Sequence, residues 1–176
     1  MEKMRKPFQG VLNIIRFNWH FYVLSFALVM SVFFLRGSFS ATIRLVADIF
    51  LLLGVASILI SLVASTYIYD FSNLYKLSWL DKLSIKDREK IVNIKAGFDE
   101  TSNLLKNKFA NSELTVFDFY DPVKHTEVSI KRARKIYPPF PNTQSVKTTS
   151  LPLNDNSTDK IFAILSAHEI RNEEER

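Results

Sequence analysis

The stretch Ile91–Glu100 holds the residues whose types and spacing best suit the binding of a small molecule. Its apolar run breaks at Gly97 and leads into a helix start at Asp99. A strand, a tight turn and a helix opening let backbone N–H groups approach an anionic or nucleotide-like ligand. A second apolar run, Leu114–Phe119, contains Asp118, and a carboxylate about 20 residues past such a turn can hold a ribose by its hydroxyls. The pairing of turn and acid therefore predicts a nucleotide-like ligand.

The composition limits the other kinds of site. The chain has 176 residues, a net charge of +5 and no cysteine, so disulfides and thiolate metal sites are excluded. Its histidines, His20, His125 and His168, are too few and too scattered to suggest a zinc site. No metal ion and no nucleic acid are expected as partners. The length allows one domain and an appendage.

Two apolar segments precede the candidate site. Phe17–Leu35 and Ile49–Tyr69 contain no Asp, Glu, Lys or Arg over 19 and 21 residues. Each is long enough to cross a hydrocarbon core of roughly 30 Å as a helix, and the first is too long for a cleaved signal peptide. The connector Arg36–Ala41 is short, which predicts an antiparallel hairpin, and Arg44 can pair with Asp48 near its rim.

The basic residues around these segments predict the orientation of the hairpin. Four Lys or Arg residues precede the first segment and five lie within residues 70–90 directly after the second, whereas the tip offers only Arg36 and Arg44. The positive-inside rule then places both termini in the cytoplasm. We therefore expect a two-pass membrane protein, with the lipid bilayer as a partner.

The chain is expected to have three parts. Residues 1–69 form the N-terminal flank and the two-helix membrane hairpin. Residues 70–90 form an amphipathic linker helix that lies at the bilayer surface or docks on the domain that follows. Residues 91–176 form an α/β domain, in which apolar strands alternate with helices as in a parallel sheet covered by helices.

The strands of that domain are expected at 91–95, 114–119, 144–149 and 160–166, and its helices near 100–109 and 123–137. The second helix carries a basic run: Lys131, Arg132, Arg134 and Lys135. A solvated face is the default interpretation of such a run. Attraction to anionic lipid is the alternative, given the neighbouring membrane segments.

Residues 91–176 resemble a class I S-adenosylmethionine-dependent methyltransferase. Val92–Glu100 (VNIKAGFDE) stands where that family has its glycine-rich first motif, and Val116–Pro122 (VFDFYDP) resembles its second-strand motif. Ser150–Ile170 is similar to the family's Leu-Pro-hydrophobic-x-Asp-x-Ser-x-Asp segment and fourth strand. That last match is the most specific, because the most residues stay in register.

The resemblance implies a partial Rossmann-like methyltransferase sheet, parallel and in the order 3-2-1-4, preceded by the transmembrane hairpin. It implies S-adenosyl-L-methionine as the methyl donor, with Asp118 on the ribose hydroxyls. The donor-binding residues that it implies are Asn93, Lys95, Gly97, Asp118, Thr149, Ser150 and Leu151. His168 and Glu169 follow the fourth strand and are candidate bases or substrate contacts, or else merely begin a solvated helix.

The chain departs from the family pattern in two ways. The first motif is acid-x-Gly-x-Gly-x-Gly in the family, but these positions hold Asn93, Lys95, Gly97 and Asp99 here. Lys95 either obstructs the donor or reaches its carboxylate. The family's sheet also has about three more strands after the fourth, so we expect a partial chain of a longer protein.

Two functions from different classes remain open. The first is a membrane-anchored methyltransferase acting on an unknown, membrane-associated methyl acceptor such as a lipid or a quinone. Methyl transfer depends mainly on placing the nucleophile in line with the methyl group, so no residue is nominated as a certain catalyst. The second is a non-catalytic membrane protein with a degenerate or truncated methyltransferase-like domain.

Overall fold

The structure is a computed structural model that describes residues 6–83 and 87–175. The chain divides into two compact units, Met1–Ser72 and Asn73–Arg176. The first unit is helical and the second is an α/β fold.

The N-terminal unit contains three α-helices: α1 (Gln9–Phe17), α2 (Trp19–Leu35) and α3 (Ala41–Thr66). With their short extensions, α2 and α3 form the helices Trp19–Ser38 and Ala41–Phe71, which are long and apolar enough to cross a membrane. Neither helix buries any of its apolar window within the chain. A helix that is apolar all round is suited to lipid, because its exposed surface would be costly in water.

A feature that the sequence did not reveal is the attachment of α1 to the end of the second apolar helix. The Asp70 carboxylate accepts hydrogen bonds from the backbone N–H groups of Gly10 and Val11, at 2.8 and 2.9 Å. The first N–H groups of a helix have no partner within it, and a carboxylate there also complements the helix dipole. Asp70 therefore caps α1 from about sixty residues away.

The ion pair at the connector between α2 and α3 differs from the predicted one. Asp48 lies 3.8 Å from Arg36, in the 3-10 turn Arg36–Ser38, rather than pairing with Arg44 one turn away in α3. Arg36 also lies over the Phe33 ring, 4.6 Å from its centroid. The pair thus links the end of α2 with the start of α3, which four-residue spacing along one helix could not predict.

The predicted amphipathic helix over residues 70–90 is wrong. A π-helical turn, Tyr67–Phe71, ends the apolar helix, and only turns and the 3-10 helix Ser78–Leu80 follow; residues 84–86 lie outside the described residues. Leu77 has a left-handed backbone with φ of 50°, which a continuous α-helix does not allow. Leu77 and Leu80 are buried in the core of the C-terminal unit, so the segment does dock on the domain.

The C-terminal unit is built on a four-stranded sheet. Its strands are β1 (Lys90–Lys95), β2 (Glu113–Asp118), β3 (Gln144–Ser145) and β4 (Lys160–Phe162). They pair in the order β3-β2-β1-β4, and every pairing is parallel. This confirms the predicted strand order and the α/β class, with β1 between β2 and β4.

The other elements of this unit are shorter than predicted. Its α-helices are α4 (Thr101–Lys108) and α5 (Val128–Ile136). The latter begins five residues later than expected, because a turn closed by the hydrogen bond from His125 N–H to Asp121 C=O comes first. After β4 the described chain forms the 3-10 helices Ala167–Glu169 and Glu173–Glu175 instead of beginning an α-helix.

The core of the unit lies between the sheet, α4 and the 73–83 segment. Its buried cluster consists of Leu77, Leu80, Ile91, Leu105 and Phe162. Phe109 stacks on Phe162 with ring centroids 6.3 Å apart. This packing fixes the β1 strand and, with it, the turn at its carboxyl end.

Candidate functional site at the carboxyl ends of the strands

Lys95 and Asp118 form the centre of the candidate site. They are the last residues of β1 and β2 and are partners in the strand register. Lys95 Nζ lies 3.2 Å from Asp118 Oδ2, and the two side chains are only 3% and 7% exposed. The structure thus brings together two residues that the sequence assigned to the donor site, but as a buried ion pair.

Gly97 forms the turn directly after β1. Its φ is +75°, a left-handed conformation that L side chains rarely adopt. A Cβ there would lie 3.3 Å from Cγ2 of Ile130 on α5, so helix and turn are in close contact. Both the backbone conformation and the close approach of Ile130 therefore favour glycine at this point.

Arg134 is a member of the site that sequence reasoning missed. Its Nη1 donates to Asp118 Oδ2 at 2.7 Å and to the Gly97 carbonyl at 2.9 Å. Its guanidinium also lies 4.1 Å from the centroid of the Tyr120 ring. The signal that could have found it is its position one helical turn after Ile130. Arg134 was instead grouped with the solvated basic run.

Both oxygens of the Asp118 carboxylate are engaged. Oδ2 accepts hydrogen bonds from Lys95 Nζ and Arg134 Nη1, and Oδ1 accepts one from the backbone N–H of Tyr120 at 3.0 Å. A ligand hydroxyl that sought this carboxylate would have to compete with two cations. The Asp118 carboxylate is therefore closed to a ligand unless one of these partners moves away.

Asp99 supplies the second carboxylate near Lys95. Its Oδ1 accepts the backbone N–H of Ser102 at 3.0 Å, which caps the start of α4. Its Oδ2 lies 3.6 Å from Lys95 Nζ and has no hydrogen-bond partner among the described residues. Two cations and two carboxylates thus balance in charge around the turn, which offsets part of the cost of burying them.

Asn93, another residue assigned to the donor site, lies completely buried. Its amide Nδ2 donates to the hydroxyls of Thr101 and Ser102 at 3.0 and 2.9 Å, and its Oδ1 has no partner in the described part of the chain. The side chain therefore joins β1 to the first turn of α4. In this geometry it supports the turn rather than facing an open site.

An open cleft lies beside this closed centre. It has a volume of about 440 Å³ and is lined by residues that follow β2 and β3, among them Tyr120, Thr148 and Thr149. Of the predicted donor-binding residues, only Thr149 lines it; Ser150 and Leu151 do not. The Ser150 N–H donates to the Lys147 carbonyl at 3.3 Å.

His125, a buried residue that sequence reasoning did not assign, connects two loops at this edge of the sheet. Its Nε2 lies 2.9 Å from the Glu169 carbonyl, which can only accept, so Nε2 carries the proton. Its Nδ1 lies 3.0 Å from both the backbone nitrogen and the carbonyl oxygen of Asp121, and its ring stacks on Tyr120. The imidazole therefore ties the turn after β2 to the loop that carries Glu169.

The candidate bases His168 and Glu169 lie on the loop that His125 holds. His168 Nε2 is exposed and lies 3.1 Å from Glu169 Oε1, while Glu169 Oε2 lies 3.1 Å from Arg171. Neither residue lines the cleft, although Arg171 does. The structure thus places them beside the open cleft and does not bring them to Gly97 or Asp118.

Glu175 lines the same cleft and has a perturbed carboxyl. The Thr148 hydroxyl donates to it, and that hydrogen bond is the main reason why the pKa of Glu175 is lowered; Asn172 and the charge of Lys124 act in the same direction. One side of the cleft therefore carries an ionised carboxylate.

The described residues contain no cluster of three or more His, Asp or Glu side chains placed to hold a metal ion. Comparison of the chain with known protein families, with curated proteins and with solved structures gave no match.

Proposed function

We propose that this chain is a membrane-anchored S-adenosylmethionine-dependent methyltransferase whose donor site lies at the carboxyl ends of β1 and β2. The observation that carries the proposal is the juxtaposition of Asp118, at the end of β2, with the Gly97 turn after β1. Open α/β sheets bind ligands outside the carboxyl ends of their strands, where the strand order reverses. Here β2 and β3 lie on one side of β1 and β4 lies on its other side, so the order reverses at β1.

The donor would bind by replacing a contact that the chain makes with itself. A carboxylate can accept two hydrogen bonds, which suits the two ribose hydroxyls. Because Lys95 occupies Asp118 Oδ2 at 3.2 Å, its side chain has to move away before the ribose can bind. We therefore favour obstruction over recruitment as the role of Lys95. The adjacent cleft, with Thr149 in its wall, offers room for the remainder of the donor.

The anchor supports a membrane-associated acceptor. A domain that follows two apolar helices reaches lipids, quinones and other bilayer components more readily than soluble molecules. We propose that both termini are cytoplasmic, since the basic residues lie on the flanks of the hairpin. A reporter fused after Arg176 is expected to read cytoplasmic, and an extracytoplasmic signal would contradict this orientation.

One observation favours the second candidate function, a non-catalytic membrane protein with a degenerate methyltransferase-like domain. Asp118 is satisfied on both oxygens by the chain itself, and Asp99 stands where the family has a glycine. In that case the ion-paired centre stabilises the Gly97 turn and binds no donor.

Titration of the full chain with S-adenosylmethionine, monitored by calorimetry, separates the two candidate functions. Asp118→Ala is expected to abolish most binding, because hydrogen bonds to a charged group contribute about 1.5–3 kcal/mol each. Asp118→Asn keeps the shape of the side chain and checks that lost binding is not lost folding. Glu113→Ala, at the opposite end of β2, is the matched control and should bind like the wild type. Absence of binding to the wild type and to variants at Lys95 would favour the non-catalytic protein.

A further inference from the structure

The helix α5 has two faces with different surroundings. On one face, Ile130 approaches Gly97, Ala133 is buried and Arg134 bonds to Asp118. The opposite face carries Val128, Lys131, Arg132, Lys135 and Ile136, which helical spacing places side by side. Val128 and Ile136 are 47% and 39% exposed, and Lys131 and Lys135 are exposed as well. We call these five residues the outer face of α5.

Two lysines of the outer face, Lys131 and Lys135, are not neutralised by any carboxylate in the described part of the chain, residues 6–83 and 87–175. Glu127, the acid that directly precedes the helix, pairs with Arg171 instead. The outer face therefore combines two lysines that form no ion pair among the described residues with exposed apolar side chains, as helices that lie at membrane interfaces do.

We propose that the outer face of α5 is a docking surface for the anionic surface of a lipid bilayer. The cations complement the negative headgroups, and Val128 and Ile136 can enter the boundary between headgroups and acyl chains. The proposal depends on the two apolar helices being in a membrane, but it does not depend on donor binding.

Because the connection between the units is short, even a weak attraction between the outer face and lipid is sufficient for docking. Only Ser72–Lys76 separate Phe71, the last residue of the second apolar helix, from the buried Leu77. Each basic residue near an anionic surface contributes about fivefold to binding, so two or three would not hold a free protein. In a tethered unit the same contact becomes intramolecular and meets a high effective concentration of lipid.

The test uses the full chain in lipid nanodiscs. Because the chain has no cysteine, a single Val128→Cys substitution allows a fluorescent label to be attached to the outer face. Quenching by spin-labelled lipid is measured in discs of phosphatidylcholine with and without phosphatidylserine. We expect quenching that requires phosphatidylserine and is lost at high salt, since screening shortens the reach of charge. A label at Asn107→Cys, exposed on α4, is the positional control and should stay unquenched.

Charge variants identify the residues responsible. Lys131→Gln with Lys135→Gln should lower the ratio of docked to undocked units about 25-fold, since each lysine contributes about fivefold. Lys124→Gln with Lys147→Gln removes the same charge from the same unit and should leave docking unchanged. Equal losses from both pairs would overturn the proposal in favour of a net-charge effect. Quenching independent of phosphatidylserine would also overturn it, as would binding of a short oligonucleotide through Lys131 and Lys135.

Discussion

Lys95 Nζ lies 3.2 Å from Asp118 Oδ2 across the last paired position of two parallel strands. Parallel pairing without any register shift places the two side chains next to each other at the carboxyl edge of the sheet. Arg134 reaches the same carboxylate oxygen from α5, and Asp99 approaches Lys95 from the turn. Asp118 is therefore the common acceptor of an ion-pair network.

The first prediction concerns the stability of this network. Removing one partner of a buried ion pair leaves an uncompensated charge and costs about 3–5 kcal/mol. Asp118→Ala leaves Arg134 without a carboxylate and Lys95 with Asp99 alone, whereas Lys95→Met leaves Asp118 paired with Arg134 and Asp99 bonded to the Ser102 N–H. We therefore expect the free energy of unfolding to fall more in Asp118→Ala than in Lys95→Met. Urea denaturation of the full chain in detergent measures both, and the reverse order would contradict the network.

The second prediction concerns Gly97. Alanine at φ of +75° costs about 1–2 kcal/mol from the left-handed backbone alone. The new Cβ would also press on Ile130 Cγ2 at 3.3 Å, which adds to that cost. Thermal unfolding should show a lower midpoint for Gly97→Ala. The control is Gly54→Ala in α3, where the structure leaves open space for a Cβ. It should cause no loss, because alanine is the better helix former.

The third prediction concerns Asp70 and α1. Asp70→Ala removes the acceptor for the N–H groups of Gly10 and Val11 and is expected to cost about 1 kcal/mol, as loss of a helix cap does. Hydrogen exchange of these two amides should accelerate, while that of α4 stays unchanged. Asp70→Asn, which keeps one acceptor oxygen, should give an intermediate rate. Unchanged exchange in Asp70→Ala would show that the cap contributes nothing.

The fourth prediction concerns the pH response of Glu175. Its pKa is lowered in the folded chain, chiefly by the Thr148 hydroxyl, so the contact stabilises the fold above the ordinary pKa of a glutamate. That contribution is lost as the pH falls through the lowered pKa. Thr148→Val should raise the pKa of Glu175 towards its ordinary value, which NMR titration of the side-chain carboxyl measures. An unchanged pKa would mean that Asn172 or Lys124 is the main cause.

Much of the fold could be predicted from the sequence, because its signals are local. Charge-free apolar runs marked α2 and α3, and β-branched apolar runs followed by turns marked β1 and β2. The resemblance implied the strand order, which the structure confirms. The residues 70–90 were predicted wrongly because burial of Leu77 and Leu80 in the core overrides helical spacing.

The candidate site was less predictable, because its contacts join residues that are distant in sequence. Gly97 and Asp118 could be placed at one edge by the rules for parallel sheets. Predicting the ion pair of Lys95 with Asp118 requires the strand register. Predicting the contacts of Arg134 requires the position of α5 over the Gly97 turn. His125 gave no sequence signal, since its partner is a backbone carbonyl more than forty residues away.

The affinity of Lys95→Gly for S-adenosylmethionine, measured by calorimetry beside the wild type, tests the donor-site proposal most directly. Lys95→Met is the control that removes the charge but keeps the bulk. If Lys95 obstructs the site, Lys95→Gly should bind at least about tenfold more tightly, because a charge-assisted hydrogen bond worth about 1.5–3 kcal/mol no longer competes for Asp118. Tight binding by the wild type that weakens in Lys95→Gly would contradict this, and would mean that Lys95 holds the donor's carboxylate.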